Sequence, residues 1–407
     1  MAAAGAGAIV AGTATMRRPP ARAAGGPRAR VARGAARSLL TLGVEEEFVL
    51  LDAASGQAAL VAPQLLELLG EPWAKQELMR FQFETTTKVC TRLDEVRGDL
   101  TSHRQAAASA AQELGCRLVA SGTLPYAAPG LPGLTGTPRY RQLASRFGPL
   151  VAEAGTCACH VHVGLRSRDL AVQVLPRLRA WLAPLLAISV NSPIAHGRDT
   201  GWHSWRYRLW SRWPTAHPPG SWPDAAGYDA SVARLIRNGA ALDAPSVYFH
   251  ARLSPRYPTV EVRIADVCLD VNDAVLLAGL VRALVATAIA EARRGLPVQS
   301  LATRRVVAAL RAAAHHGLGG PGIDVLADQA LIQRHLVGRL VDRVQQALEV
   351  SGDADQVQAL LHRLDRHGTG AARQRALWAQ ARSPHEFTQA LARVTREQPA
   401  RPVTAPR

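Results

Sequence analysis

Short runs of alternating apolar and polar residues recur along the chain, and each predicts a β-strand. The clearest lie at residues 41–52, 81–86, 159–165 and 259–267, the last paired with 248–253 through Ser254-Pro-Arg-Tyr-Pro258. Successive strand side chains point to opposite faces, so Glu45 and Glu47 share a face, as do His160 and His162, and Glu261 and Arg263. Joined in one sheet, these strands would set Val44, Phe48, Val161, Val163, Val260, Val262 and Ile264 on a core face. The opposite face would then carry carboxylates, imidazoles and a guanidinium.

Other segments have helical spacing. Residues 94–114 carry acids in the first turn and Gly115 just past the end, and an apolar strand follows at 117–121. A helix is expected after the histidine strand to about Val190. Another is expected from a cap at Asn272 or Asp273 to Gly295, and the rest is read as helical to about Val394 with glycine-rich turns at 317–322 and 368–370. The most apolar of these stretches, 172–190 and 274–290, are interrupted by Arg177, Arg179 and Pro184 or by Arg282, so both read as buried helices and no membrane partner is expected. Residues 125–138 form a Pro- and Gly-rich loop. Residues 191–223 hold five tryptophans among Arg, His and Pro and are expected to order as a loop over the site.

At 407 residues the chain can bury one large core, and nothing in its middle breaks the composition. The expected division is an Ala/Arg/Gly-rich disordered extension at 1–37, a single catalytic domain at 38–395 and a flexible tail at 396–407. The formal charge is +16, but residues 1–40 hold seven arginines and no acid, and removing those seven leaves +9. That distribution, with lysine only at Lys75 and Lys88, argues against a nucleic-acid partner. Five scattered cysteines (Cys90, Cys116, Cys157, Cys159, Cys268), with no secretory signal ahead of them, point to a reduced, cytoplasmic compartment. Cys157-Ala-Cys159 lacks the wider spacing of a structural zinc loop.

Several glutamates on one face repel each other and are costly to bury together unless cations neutralise them. Mg²⁺ or Mn²⁺ takes oxygen ligands and keeps positions open for phosphate, which suits Glu45, Glu47, Glu84 and Glu261 with one imidazole of the His160/His162 pair. Arg263 beside Glu261 would present a planar charge to a transferring phosphoryl group. ATP chemistry without a Walker loop is implied, because no G-x-x-x-x-G-K-[ST] or G-x-G-x-x-G segment is present. Two other readings compete with it: a metallohydrolase with zinc on His160 and His162, disfavoured by the excess of carboxylates, and a basic nucleic-acid-binding protein.

The same residues resemble a known family. Thr41-Leu-Gly-Val-Glu-Glu-Glu-Phe, Cys159-His-Val-His-Val-Gly-Leu, Asn191-Ser-Pro with Gly197-Arg-Asp-Thr-Gly, Trp210-Ser-Arg-Trp-Pro-Thr, Tyr257-Pro-Thr-Val-Glu-Val-Arg-Ile-Ala-Asp-Val-Cys and Gly368-Thr-Gly-Ala-Ala-Arg-Gln-Arg follow in the order of the YbdK-type carboxylate-amine ligases, also called glutamate-cysteine ligase type 2. The resemblance implies an α+β fold, a curved antiparallel sheet with outer helices similar to glutamine synthetase and glutamate-cysteine ligase catalytic domains. It implies phosphorylation of a carboxylate by ATP and attack of an amine on the acyl phosphate, with amino acids as substrates and glutamate and cysteine as the expected pair. It also admits a homodimer.

Carried over, Glu45, Glu47, Glu84, Glu261 and a histidine of the 160/162 pair would bind metal, and Arg263 would act in phosphoryl transfer. Arg212, Arg373 and Arg375 would be further phosphate or carboxylate contacts. Two departures stand out: Phe249-His250 replaces the family's common Trp-Asp, and Cys157-Ala-Cys159 replaces a Gly-Leu pair before the histidine motif.

Overall fold

Strand β1, Leu42–Asp52, is the central element of the main sheet and its residues alternate between two environments. Val44 and Phe48 are buried in the core, whereas Glu45 and Glu47 on the opposite face are only partly buried. The computed structural model describes residues 39–397. The extension expected over 1–37 and the tail expected from 396, apart from Arg396 and Glu397, lie outside the described residues.

Around β1 stand β2 (Ala74–Gln76), β3 (Gln82–Thr86), β4 (Cys116–Val119) and β5 (Ala158–Gly164). A small hairpin, β6 (Ile194–Ala195) and β7 (Arg198–Asp199), follows, and then β8 (Ala251–Leu253) and β9 (Thr259–Asp266). The main sheet runs β2-β3-β1-β5-β9-β8, every pairing antiparallel, with β4 beside the far half of β1. Register places Glu45 opposite His160, Glu47 opposite Glu84, His162 opposite Glu261, Arg252 opposite Glu261, and Lys75 opposite Glu84.

Helices cover the apolar face. Leu93–Glu113, Arg168–Leu178, Leu182–Ser189 and Val271–Arg293 pack with Val44, Val161, Val163, Val260, Val262 and Ile264 into one core, while Phe48, Phe83, Leu118 and Phe387 belong to a second. The segments 168–189 and 271–293 have the length and hydropathy of membrane spans, but they are 78% and 83% buried inside the fold. A helix apolar all round is a core helix when protein surrounds it. Asp270 caps the second of these, accepting from the backbone N–H of Asn272 at 2.8 Å, so the cap lies two residues before the expected positions.

The helix expected to reach Val190 is two helices with a 3₁₀ turn, Arg179–Trp181, between them. Pro184 accounts for the break, because it has no N–H and its ring excludes the carbonyl four residues back from a regular helix. The glycine-rich turn expected at 317–322 is present at 317–320, and the hairpin β10 (Pro321–Asp324) and β11 (Gln329–Ile332) that follows it interrupts a part of the chain expected to be helical. The tryptophan-rich stretch contains β6, β7 and the short helix Trp205–Trp210, capped by the Ser204 hydroxyl.

Candidate active site

The polar face of the sheet lines a cavity of about 240 Å³. Glu45 and Glu47 from β1, Glu84 from β3, His160 and His162 from β5, and Glu261 and Arg263 from β9 all border it. Their convergence follows from alternation and register: Glu45 stands opposite His160, Glu47 opposite Glu84 and His162 opposite Glu261, while Arg263 lies two residues beyond Glu261 on the same strand.

Glu45 sits between two imidazoles, with His160 Nδ1 at 3.2 Å and His162 Nε2 at 3.4 Å. Burial raises its pKa, but these contacts outweigh that and hold Glu45 well below the usual carboxylate range. Glu47 accepts the backbone N–H of Ala158 at 2.7 Å and lies 3.8 Å from His160 Nε2. His160 is driven down to about 4 by burial and the nearby Arg263, which makes it a neutral donor. His162 differs: Thr259 Oγ1 lies 2.9 Å from its Nδ1, and Glu261 and Glu45 outweigh burial to raise it.

Two groups of donor atoms lie within 4.8 Å of one another, Glu45–His160–Glu261 and Glu47–Glu84–His160. His160 is shared by both and His162 belongs to neither. Oxygen-rich sets with a single imidazole suit a hard divalent cation such as Mg²⁺ or Mn²⁺ better than zinc. Burial pushes Glu47 up to about 7, and burial with the charge of Glu47 pushes Glu77 up to about 8. Glu84 is raised well above its ordinary value by burial and then by Glu45. A cation between these groups would stabilise them all in the ionised form.

Glu261 is treated differently. Arg252 donates to it through Nε at 2.8 Å and Nη2 at 3.2 Å, and Arg263 Nη1 pairs with the same carboxylate. Burial opposes ionisation, yet the two guanidiniums hold Glu261 far below the usual carboxylate range.

Several lining residues were not singled out in the sequence. Glu77 follows the three-residue β2, which is too short to display a period, and Lys75 reaches Glu84 at 3.6 Å from the same strand. Arg252 is signalled only once β8 and β9 are paired across residues 254–258. Arg206 lies at the cavity wall, donating to the carbonyls of Ile264 and Arg263 at 3.1 and 3.2 Å and standing 3.7 Å from Asp266. Trp210 and Trp213 bring the tryptophan-rich stretch to the cavity, and Tyr140, Leu143 and Tyr248 also line it.

The other three arginines lie off the cavity lining. Arg212 is exposed and pairs with Glu153, Arg373 bridges Asp270 and Asp273, and Arg375 holds Asp199 through two contacts of 2.7 and 3.0 Å. His250 is also off the lining, buried against Tyr207 and Trp210 and driven down to about 3 by burial. Cys157 receives a hydrogen bond from Gln82 Nε2 at 3.2 Å, and no candidate metal group among the described residues includes a cysteine.

Known proteins resemble this chain. The sequence model described as Glutamate-cysteine ligase family 2 (GCS2) matches residues 41–397. A protein of Saccharopolyspora erythraea provisionally named glutamate–cysteine ligase 2-1 is 42% identical over 350 residues, 86% of this chain and 93% of its own length. One of Salinispora arenicola, provisionally named glutamate–cysteine ligase 2, is 44% identical over 341 residues, 83% of this chain and 90% of its own.

Among solved structures, the glutamate–cysteine ligase of Francisella tularensis in complex with AMP has a TM-score of 0.61 at 13% identity, covering 89% of this chain and 91% of that one. The bifunctional glutathione synthetase of Pasteurella multocida has a TM-score of 0.64 at 14% identity, covering 88% and 51%. These two likenesses establish the α+β fold type, an antiparallel sheet with helices. With the matches to the sequence model and to the curated relatives, they lead to one conclusion: the chain belongs to glutamate-cysteine ligase family 2, a family of carboxylate-amine ligases.

Proposed function

We propose that the protein joins L-glutamate to L-cysteine at the expense of ATP, giving γ-glutamylcysteine, ADP and phosphate in the cytoplasm. The observation that carries this reading is Glu261, kept ionised between Arg252 and Arg263 at the edge of a carboxylate cluster suited to a divalent cation. The names of the family and of the curated relatives support the reaction, and the AMP complex of the Francisella ligase supports an adenine nucleotide.

Glu45, Glu47, Glu84, Glu261 and His160 would hold Mg²⁺ or Mn²⁺. Bound there, the cation supplies charge neutralisation for phosphate oxygens. The side chains do the rest. A substrate carboxylate oxygen attacks the γ-phosphorus of ATP, ADP leaves, and Arg263 stabilises the charge that builds on the phosphoryl oxygens. The amine then attacks the acyl carbon, phosphate leaves and the amine gives up a proton. Arg252 fixes the carboxylate of Glu261 so that neither it nor Arg263 must reorganise as charge moves. Trp210, Trp213 and Leu143, apolar side chains in the cavity lining, would keep water from the acyl phosphate.

The test is ADP release by the purified protein with Mg²⁺ and ATP, comparing glutamate plus cysteine with a panel of other acids and amines. Release that requires glutamate and cysteine together, with the dipeptide as product, is the expected result. Release with another pair would keep the chemistry and change the substrates, whereas no release with any pair would overturn the proposal.

A further inference from the structure

Strand β9 does not pair evenly with β5. Cys159 stands opposite Ala265 and Val161 opposite Val262, so the single residue His160 faces two, Arg263 and Ile264. This is a β-bulge, an extra residue that interrupts the ladder and re-aims the side chains beside it. It falls on Arg263, whose guanidinium pairs with Glu261. A bulge takes main-chain groups out of the regular ladder, and a buried carbonyl then needs a donor from elsewhere.

Arg206 supplies that donor. Its Nη1 donates to the Ile264 carbonyl at 3.1 Å and its Nη2 to the Arg263 carbonyl at 3.2 Å, so one planar fork spans both residues of the bulge. The side chain is buried, and its guanidinium lies 5.0 Å from the centroid of the Trp210 ring. With both terminal nitrogens turned to the main chain of β9, Arg206 holds the strand that carries Arg263.

Asp266 fixes Arg206 in turn. Its carboxylate accepts from the Ser192 hydroxyl at 2.7 Å, the Ser204 hydroxyl at 2.8 Å and the Asn191 N–H at 2.9 Å. Each hydroxyl then accepts a backbone N–H from the short helix Trp205–Trp210: Ser192 that of Arg206 itself at 3.0 Å, and Ser204 that of Tyr207 at 3.1 Å. Two hydroxyls that both donate inward, beside a backbone N–H, call for a group that only accepts, which a carboxylate does and an amide does not. Asp266 also stands 3.7 Å from Arg206 Nη1, which gives the buried guanidinium a countercharge. Asn191 and Ser192 lie off the cavity lining, and this network accounts for that motif.

We propose that Arg206 and Asp266 are positioning residues for phosphoryl transfer: Arg206 clamps the bulge at 263–264 and so sets the direction of the Arg263 side chain, and Asp266 holds Arg206 through Ser192 and Ser204. The inference rests on the role given to Arg263 in the ATP-dependent reading above.

A double-mutant cycle on ADP release by the full chain tests this. Arg206→Lys puts a point charge where two carbonyls need a fork, and it is expected to lower kcat about 100-fold, the scale of a misplacement of about 1 Å, with KM for ATP within about two-fold of the parent. In an Arg263→Lys background the same substitution should cost less than about three-fold more, because the side chain it positions is already gone. Asp266→Asn should behave in the same way. Losses that multiply would show that Arg206 works independently of Arg263, and an unchanged kcat in folded Arg206→Lys would show that the clamp has no bearing on turnover; either result overturns the proposal. Ser192→Ala removes a single hydroxyl and carries the same cycle, with a several-fold loss expected, should the larger changes prevent folding. Hydrogen exchange needs no turnover: peptides spanning 259–266 should exchange faster in Arg206→Lys, and unchanged exchange would overturn the clamp. Faster exchange in a protein whose parent releases no ADP with any acid and amine would uphold the clamp on β9 and strike down the ATP-dependent reading instead.

Discussion

Arg252 and Glu261 stand directly opposite each other on β8 and β9 and meet through two N–H···O contacts of 2.8 and 3.2 Å. Arg252 also donates to the carbonyls of Pro245 and Val247 at 2.9 and 2.7 Å, so its guanidinium is fixed before any substrate arrives. Lysine cannot reproduce a planar contact of this kind. Arg252→Lys should leave the fold intact and lower Mg²⁺ affinity or turnover about 10–100-fold, the usual cost of losing a residue that orients a ligand. Unchanged kinetics would show that Arg263 alone positions Glu261.

Glu261→Gln should keep the melting temperature near that of the parent while ADP release falls sharply, because the amide cannot offer a charged ligand to the metal. Arg263→Lys should cost on the order of 100-fold in turnover, as for loss of one preorganised donor at a charged transition state. Normal turnover in either variant would remove that residue from the chemistry.

Without metal, the raised carboxylates make stability fall with rising pH. Glu47 at about 7 and Glu77 at about 8 keep protons in the folded chain that the unfolded chain, near 4.5, has already released. Through that window the native state binds more protons, so unfolding becomes easier as pH climbs from about 5 to 8. In EDTA the melting temperature should therefore drop over this range, Glu77→Gln should flatten the slope, and Mg²⁺ should restore the loss at pH 8. A slope unchanged by Glu77→Gln would contradict the raised pKa of Glu77.

Glu46 faces away from the cavity and meets Arg104 at 2.9 and 2.5 Å, both side chains fully buried. Arg104 further donates to the carbonyls of Leu269 and Cys268. Arg104→Met should destabilise the protein by about 3–5 kcal/mol in urea titration, because it strands a buried carboxylate. Adding Glu46→Leu should recover much of that. A loss below about 1 kcal/mol in the single variant would mean that water reaches Glu46.

What the sequence conveyed was tied to period. The three Glu/His/Arg pairs each sit on a strand long enough to alternate, so their shared face could be read directly, and register then only had to align them. Glu46 breaks the apolar set of β1 in the middle of its core face, and its partner Arg104 is 58 residues away on a helix, beyond the reach of any local pattern. Glu77 and Lys75 escape for the opposite reason, since a strand of three residues has no period to show. Arg373 and Arg375 lie in a motif, but motif membership does not say which face of a helix looks at a cavity; here both side chains are engaged by aspartates.

Because β1 pairs with β3, β4 and β5, the cluster is assembled from distant stretches: His160 meets Glu45 across 115 positions and Ala158 meets Glu47 across 111. Contacts of such separation form late and slowly in folding. Strands β8 and β9, still further along the chain, bring Glu261, Arg252 and Arg263. Strands β1, β3 and β5 by themselves gather three carboxylates, Glu45, Glu47 and Glu84, without either guanidinium of the β8–β9 pair. The Glu45–His160–Glu261 group is therefore complete only where β9 lies against β5, so the candidate metal site reports on closure of the whole sheet.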